Sequence, residues 1–167
     1  MRPLSTEEFD AFVDGIDYPV FVVTAASAAG RAGCLVGFAT QTSISPPRLM
    51  VCLSEANHTL EVAHGAAYLA VHLLDSADHP LAEVFGGETG DEVDKFAAVA
   101  WEEGPAGVPL LTDCRRRLVG RVLLRIPLGD HVGHLLEPVS VVAEDGSGGS
   151  DVLTVRQAMD IEPGHPA

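Results

Sequence analysis

The sequence predicts a mainly β protein, an antiparallel barrel with a few short helices packed outside it, and three observations carry that expectation. β-Branched and apolar runs of strand length recur along most of the chain. They are separated by hairpin-type turns or single short helices, not by the regular strand–helix alternation that builds a parallel sheet. The chain has 167 residues, 47% hydrophobic and 20% charged, which suits one full core and a single domain over 1–167.

The elements follow in order. Ser5 or Thr6 caps a first helix running through Asp14, with Glu7 and Glu8 at its positive end. Residues 19–24 are a β-branched strand, and the turn Ala29-Gly30-Arg31-Ala32-Gly33 leads into a second strand at about 34–39. A third covers 48–53, divided from the second by Pro46 and Pro47, which lack the N–H a central strand needs. Asn57 is an N-cap for a short helix over His58–His64, and 68–74 is again a strand. Asp78 and Pro80 start a helix that Gly86-Gly87 ends, and 91–98 forms another short one. Two long strands, 118–126 and His131–Ala143, are followed by a flexible hairpin tip at 146–150 and a last strand at 152–156.

Charge and cysteine usage narrow the function classes. A net charge of −14 argues against nucleic acid, whose backbone needs clustered Lys and Arg, and against anionic membranes. Arg115-Arg116-Arg117 reads as a solvated loop or strand entry and not a phosphate site. The uncharged run 18–30 is too short and too polar to span a bilayer. Cys34, Cys52 and Cys114 show neither a disulfide framework nor zinc-site spacing, and the N-terminus lacks an apolar signal core, so a reducing cytoplasmic setting is expected.

Four segments carry candidate chemistry. Thr40-Gln41-Thr42-Ser43 follows an apolar strand and holds uncharged donors and acceptors, with Thr40 and Thr42 on one face and Gln41 and Ser43 on the other. Such groups at a barrel rim suit a polar heterocycle, or they satisfy their own turn. Ser54, Asn57, His58 and Thr59 surround a helix start, where free N–H groups and the helix dipole favour an anion such as phosphate; an ordinary capped helix has the same pattern. Lys95, the only lysine, sits beside Phe96, either solvated or neutralising a phosphate or an electron-rich ring. Gly129-Asp130-His131 turns into a strand whose first residue, His131, is a structural histidine or a donor to a ligand carbonyl; His134 faces the other way, so the two cannot share a metal, and no metal site is expected.

Taken in order, these segments resemble the flavin reductase-like, FMN-binding split-barrel family. The matching residues are Val22-Val23-Thr24, Gly33, Thr40 through Pro47, the strand Leu49-Met50-Val51-Cys52-Leu53, Asn57-His58-Thr59, Phe85, Asp94-Lys95-Phe96 and Gly129-Asp130-His131, over roughly 18–144. The resemblance implies a homodimer with FMN, or FAD, at the subunit interface, and hydride transfer from NADH or NADPH to the flavin N5. It implies that Thr40, Gln41, Thr42 and Ser43 contact the ring system. Ser54, Asn57, His58 and Thr59 would serve the phosphate and ribityl side with Lys95 and Phe96 nearby, and His131 would lie where a nicotinamide docks. A partner monooxygenase would consume the reduced flavin. Gly37 and Phe38 stand where the family often has Asn or Ser, and Ser45 where Asp is common, departures that bear on ring contacts or nucleotide access. A flavin-binding carrier or redox sensor without efficient turnover, or a flavin-dependent enzyme acting on an organic substrate, are the rival functions.

Overall fold

The computed structural model describes residues 1–87, 94–143 and 151–164. The expected hairpin tip at 146–150, and the start of the expected helix at 91–98, lie outside the described residues. In chain order the elements are α1 Thr6–Val13, β1 Phe21–Ser27, β2 Gly30–Val36, β3 Ala39–Ser43, β4 Arg48–Ser54, α2 His58–His64, β5 Tyr68–Leu73, α3 His79–Gly87, β6 Trp101–Glu103, β7 Pro109–Leu111, β8 Arg116–Pro127 and β9 His131–Ala143. A seven-stranded sheet of order β2-β1-β5-β8-β9-β4-β3 forms the body, and β6 and β7 pair separately. All the ladders are antiparallel, so the expected mainly β architecture is what the chain adopts.

The two edge strands of that sheet, β2 and β3, are neighbours in sequence, joined only by Gly37 and Phe38. The Phe38 carbonyl accepts the Cys52 N–H at 2.9 Å, carrying the chain from the edge of β2 across to β4. The sheet thereby curls into a barrel split along this seam, and barrel closure protects edges that would otherwise invite pairing with other chains.

Period-two alternation fills the interior. Val23 and Ala25, Val51 and Leu53, and Leu69 and Val71 point inward, each two residues from its mate, and join Leu60, Val62 and Ala63 of α2 in one buried cluster. The opposite face of β1 is buried too: Val20 and Val22 pack with Leu74, Ala82, Phe85, Phe96, Leu111, Cys114 and Leu153. Burial on both faces explains why β1 reads as a nearly continuous apolar run.

His72 of β5 ties this outer layer together. Its Nδ1–H donates to the Val22 carbonyl at 3.0 Å, and its Nε2 accepts the Leu111 N–H at 3.0 Å. Both bonds require the neutral Nδ1–H tautomer. Burial pushes the His72 pKa down to about 4; Arg117 adds to the effect and the Val22 carbonyl opposes it.

Local signals set several boundaries well. Ser5 and Glu8 form a full capping box on α1, and Asn57 accepts the Thr59 N–H to start α2. Other elements differ from expectation. The strands β6 and β7 are three residues each, below the length at which a pattern can be read, and β7 starts on a proline. The segment expected as a strand at 152–156 makes only single bridges, Val152 to Asp75 and Thr154 to Pro19. It threads between the ends of β1 and β5, with Val20 N–H donating to Leu153 O and Leu153 N–H to Leu74 O, both 2.9 Å, and so lies alongside neither. Among the described residues of 91–98, Lys95–Ala98 is a single 3-10 turn. No helix among the described residues is long and apolar enough to cross a membrane.

Candidate functional site

A cavity of about 610 Å³ opens beside the barrel seam. Its floor is apolar and neutral: Val20, Cys34 and Val36 are buried there, and Cys52 is half-buried. Burial pushes the Cys34 thiol up to about 11, with Thr59 and Lys95 partly opposing, and raises Cys52 as well, so neither sulfur places a charge on the floor.

The polar rim comes from the ends of β4 and β9. Ser54 and His131 are directly paired in the β4–β9 ladder, and Glu55 N–H donates to Asp130 O at 2.9 Å, which locks the two loops together. His131 Nδ1 contacts the Asp130 carboxylate at 2.7 Å, and that bond holds the Asp130 carboxyl below its usual pKa. With Nδ1 engaged as the donor, Nε2 is the nitrogen left to meet a ligand. The Phe38 ring lies 5.1 Å from the His131 ring and 6.3 Å from Tyr18, the second contact edge-on.

The C-terminal segment closes the far side through Val155, Ala158, Met159, Ile161 and Pro163. Backbone bonds from Val155 N–H to Tyr18 O at 2.8 Å and from Gly164 N–H to Gly86 O at 3.1 Å hold it in place. Phe38 enters the sequence reading only as a departure from the family pattern that bears on ring contacts or nucleotide access, and its place on the cavity is a finding of the structure. The C-terminal wall consists of isolated apolar residues in a polar stretch, which carry no sequence signal.

The expected site residues divide among several environments. Ser54, Asn57 and His131 line the cavity. Ser54 Oγ accepts the Ala56 N–H at 3.2 Å, so part of its capacity already serves the turn. His58, next along, is half-buried with Nδ1 3.2 Å from Glu61, and Thr59 is 1% exposed behind the floor. Thr40, Gln41 and Thr42 are exposed on the outer edge strand β3, with Ser43 half-buried. Thr40 donates to Gln41 O at 3.4 Å and Gln41 Nε2 to Ser43 O at 3.2 Å, both within the segment. A bulge between Gln41 and Ser43 breaks the simple alternation of faces expected for these four residues.

Lys95 and Phe96 belong to a second cavity, of about 660 Å³, lined by the opposite end of β2. There Arg31 lies 4.8 Å over the Trp101 ring and 3.3 Å from the Asp94 carboxylate. Lys95 is only 4% exposed, and its ammonium donates to Phe85 O at 3.1 Å and Gly33 O at 3.4 Å. Phe85 lies in the last turn of α3, where carbonyls lack helical partners. The ammonium therefore faces inward and serves the junction of α3 with β2. Strand β2 is the shared wall: Gly30–Gly33 face the second cavity and Cys34–Gly37 the first.

Comparison with known proteins places this architecture. Residues 13–160 match the family model of the flavin reductase like domain. The chain is 30% identical over 131 residues to the FMN reductase (NADH) RutF of Enterobacter sp. strain 638, an alignment covering 78% of this chain and 79% of that protein. Among solved structures, a candidate flavin reductase from Haemophilus somnus superposes with a TM-score of 0.79 at 20% identity, over 93% of this chain and 97% of that one. The Streptomyces globisporus NADH:FAD oxidoreductase SgcE6 superposes with a TM-score of 0.74 at 22% identity, over 86% and 87% of the two chains. At those identities the two structures speak for the fold alone. The split barrel, the seam cavity and a family match running through nearly every strand lead to one assignment: the chain belongs to the flavin reductase-like family.

Proposed function

We propose that the protein is a flavin reductase that uses NADH to reduce FMN, with FAD as a second acceptable flavin. The observation that carries this reading is the seam cavity, which joins a buried neutral floor to a polar rim ending in His131. A flat tricyclic ring with polar edges fits that combination, and about 610 Å³ lies within the range of cofactor sites. When bound, the flavin supplies the redox chemistry, accepting a hydride from the nicotinamide at its N5.

The chain's own groups bind, orient and exclude water. Val20, Cys34 and Val36 keep the floor dry, and Ser54, Asn57 and His58 lie at the end suited to the ribityl and phosphate side. Thr40, Gln41, Thr42 and Ser43, on the free edge of β3, contact the ring system where two copies meet. His131, fixed by Asp130, aims Nε2 at the nicotinamide carboxamide. No acid or base is needed for hydride transfer, so the work of the site is distance and orientation.

The proposal includes a homodimer. Leu124 and Val141 on the two longest strands are 55% and 61% exposed, Leu128 in the turn between them is 52% exposed, and α1 exposes Phe9 and Phe12; a second copy would cover apolar surface of this kind. The reduced flavin would pass to a flavin-dependent monooxygenase.

Titration with FMN, followed by flavin fluorescence, tests binding, and anaerobic addition of NADH tests reduction. Saturable binding and loss of the yellow absorbance are expected. Bound flavin that neither NADH nor NADPH bleaches would favour a flavin carrier or redox sensor. A chain without flavin affinity would overturn both readings.

A further inference from the structure

We infer that Phe38 is a positioning residue for the incoming pyridine nucleotide, its ring, braced by the tilted ring of His131, forming the surface on which the nicotinamide seats at the seam cavity. The inference rests on the reductase reading above and adds a residue to it.

Phe38 is an anomaly within the barrel seam. Its backbone is pinned, because its carbonyl accepts the Cys52 N–H at 2.9 Å, yet its side chain is 54% exposed. A phenyl ring left half in water forgoes much of the stabilisation that burial gives, while Val36, two residues earlier, is 4% exposed. The ring is nevertheless not loose: Tyr18 meets it edge-on at 6.3 Å and His131 is tilted against it at 5.1 Å. An exposed aromatic face supported from two sides presents a preformed stacking surface.

The neighbouring residue shapes the same spot. A Cβ on Gly37 would stand 3.1 Å from Val155 Cγ2, so glycine there lets the C-terminal wall approach the seam. Phe38 and His131 thus line the cavity together with Val155, Ala158 and Met159 of that wall. Depth separates the two rings that must enter. The floor of Val20, Cys34 and Val36 suits the ring held longer, and the half-exposed Phe38–His131 pair lies where an exchanging ring arrives and leaves.

The test compares wild type with Phe38→Ala and Phe38→Trp, using FMN titration, NAD+ titration of the FMN-saturated protein, steady-state NADH kinetics and size-exclusion elution. Phe38→Ala is expected to raise the NAD+ Kd and the NADH KM about three- to tenfold, the range of one ring–ring contact. The FMN Kd, kcat and elution volume should stay within about twofold of wild type or unchanged. Phe38→Trp should restore nucleotide affinity. An unchanged NADH KM, an equal weakening of FMN, or a changed oligomeric state with nucleotide affinity intact would each overturn the inference. If wild type takes up FMN but not NAD+, the inference fails while flavin binding stands; if it takes up neither, both readings fall.

Discussion

The segments Asp94–Phe96 and Gly129–His131 look alike in sequence, each a charged residue or two at the edge of an apolar stretch, and they end in opposite conditions. Lys95 is 4% exposed and bonded to two backbone carbonyls, while the His131 side chain is 25% exposed on a cavity rim with an aromatic neighbour. The difference lies in what each neighbourhood lacks. The end of α3 leaves carbonyls without donors, and a long flexible ammonium stem satisfies them from inside. The start of β9 is already satisfied by its ladder with β4 and by Asp130, so the backbone there makes no demand on the His131 Nε2. A functional side chain is therefore recognised less by its chemistry than by whether the fold has already used it.

The largest expected effect tests the used side of that contrast. Lys95→Met should lower unfolding stability by roughly 3 kcal/mol, since two charge-assisted bonds to buried carbonyls disappear. The FMN affinity of the folded fraction should change less than about threefold. Denaturant titration and FMN titration of the same preparation check this, and a tenfold affinity loss at unchanged stability would return Lys95 to the phosphate.

Acid stability probes the same packed layer. The folded-state pKa of His72 is about 4, below the ordinary value of about 6.5. The unfolded chain therefore binds the proton more readily between those values, and stability is full above about pH 6.5 and falls as pH drops toward 4. At about 1.4 kcal/mol per pKa unit, His72 accounts for on the order of 3 kcal/mol. Buried His134, also held to about 4, chiefly by burial and further by Arg125 and His64, adds to the same slope. Denaturant midpoints measured across this window should fall steadily with acid, and a flat profile would contradict the buried neutral imidazoles.

The unused side predicts smaller and more selective effects. His131→Ala should slow flavin reduction by NADH about tenfold, with FMN affinity within about threefold and the thermal midpoint nearly unchanged, as stopped-flow bleaching and thermal melts would show. Smallest is the response to salt. A net charge of −14 repels an anionic dinucleotide, so raising ionic strength from ~0.01 to ~0.15 M should lower the NADH KM by about twofold as the Debye length shrinks from ~30 to ~8 Å. A KM that rises with salt would instead point to attraction of the dinucleotide by a local basic surface.

What could be read from the sequence follows the range of the forces involved. The helix His58–His64 and the strand His131–Ala143 have the bounds the sequence predicts, because a cap at Asn57 and a turn at Gly129 are local events. The barrel was legible because turns and alternating faces recur along the chain. The burial of Lys95 was not, since Gly33 is 62 residues from it in the chain. Nor was the C-terminal wall, whose single bridges to β1 and β5 exist only once both strands are in place. The bulge at Thr42 likewise depends on pairing with β4. As a result, the strand end at Ser54, the cap at Asn57 and the turn into His131 could be read locally, and Gly37 and Phe38 stood out as departures from the family pattern, while the 155–163 wall needed the fold.

The most direct measurement compares anaerobic NADH-driven bleaching of FMN by wild type and by Ala56→Trp. Ala56 is exposed and lines the seam cavity, so an indole there should obstruct the ligand without disturbing the core. Rapid bleaching by wild type, with loss of both FMN binding and bleaching in a variant of unchanged thermal midpoint, is the expected result. Equal bleaching by both proteins, or by neither, would contradict the assignment of this cavity to the flavin.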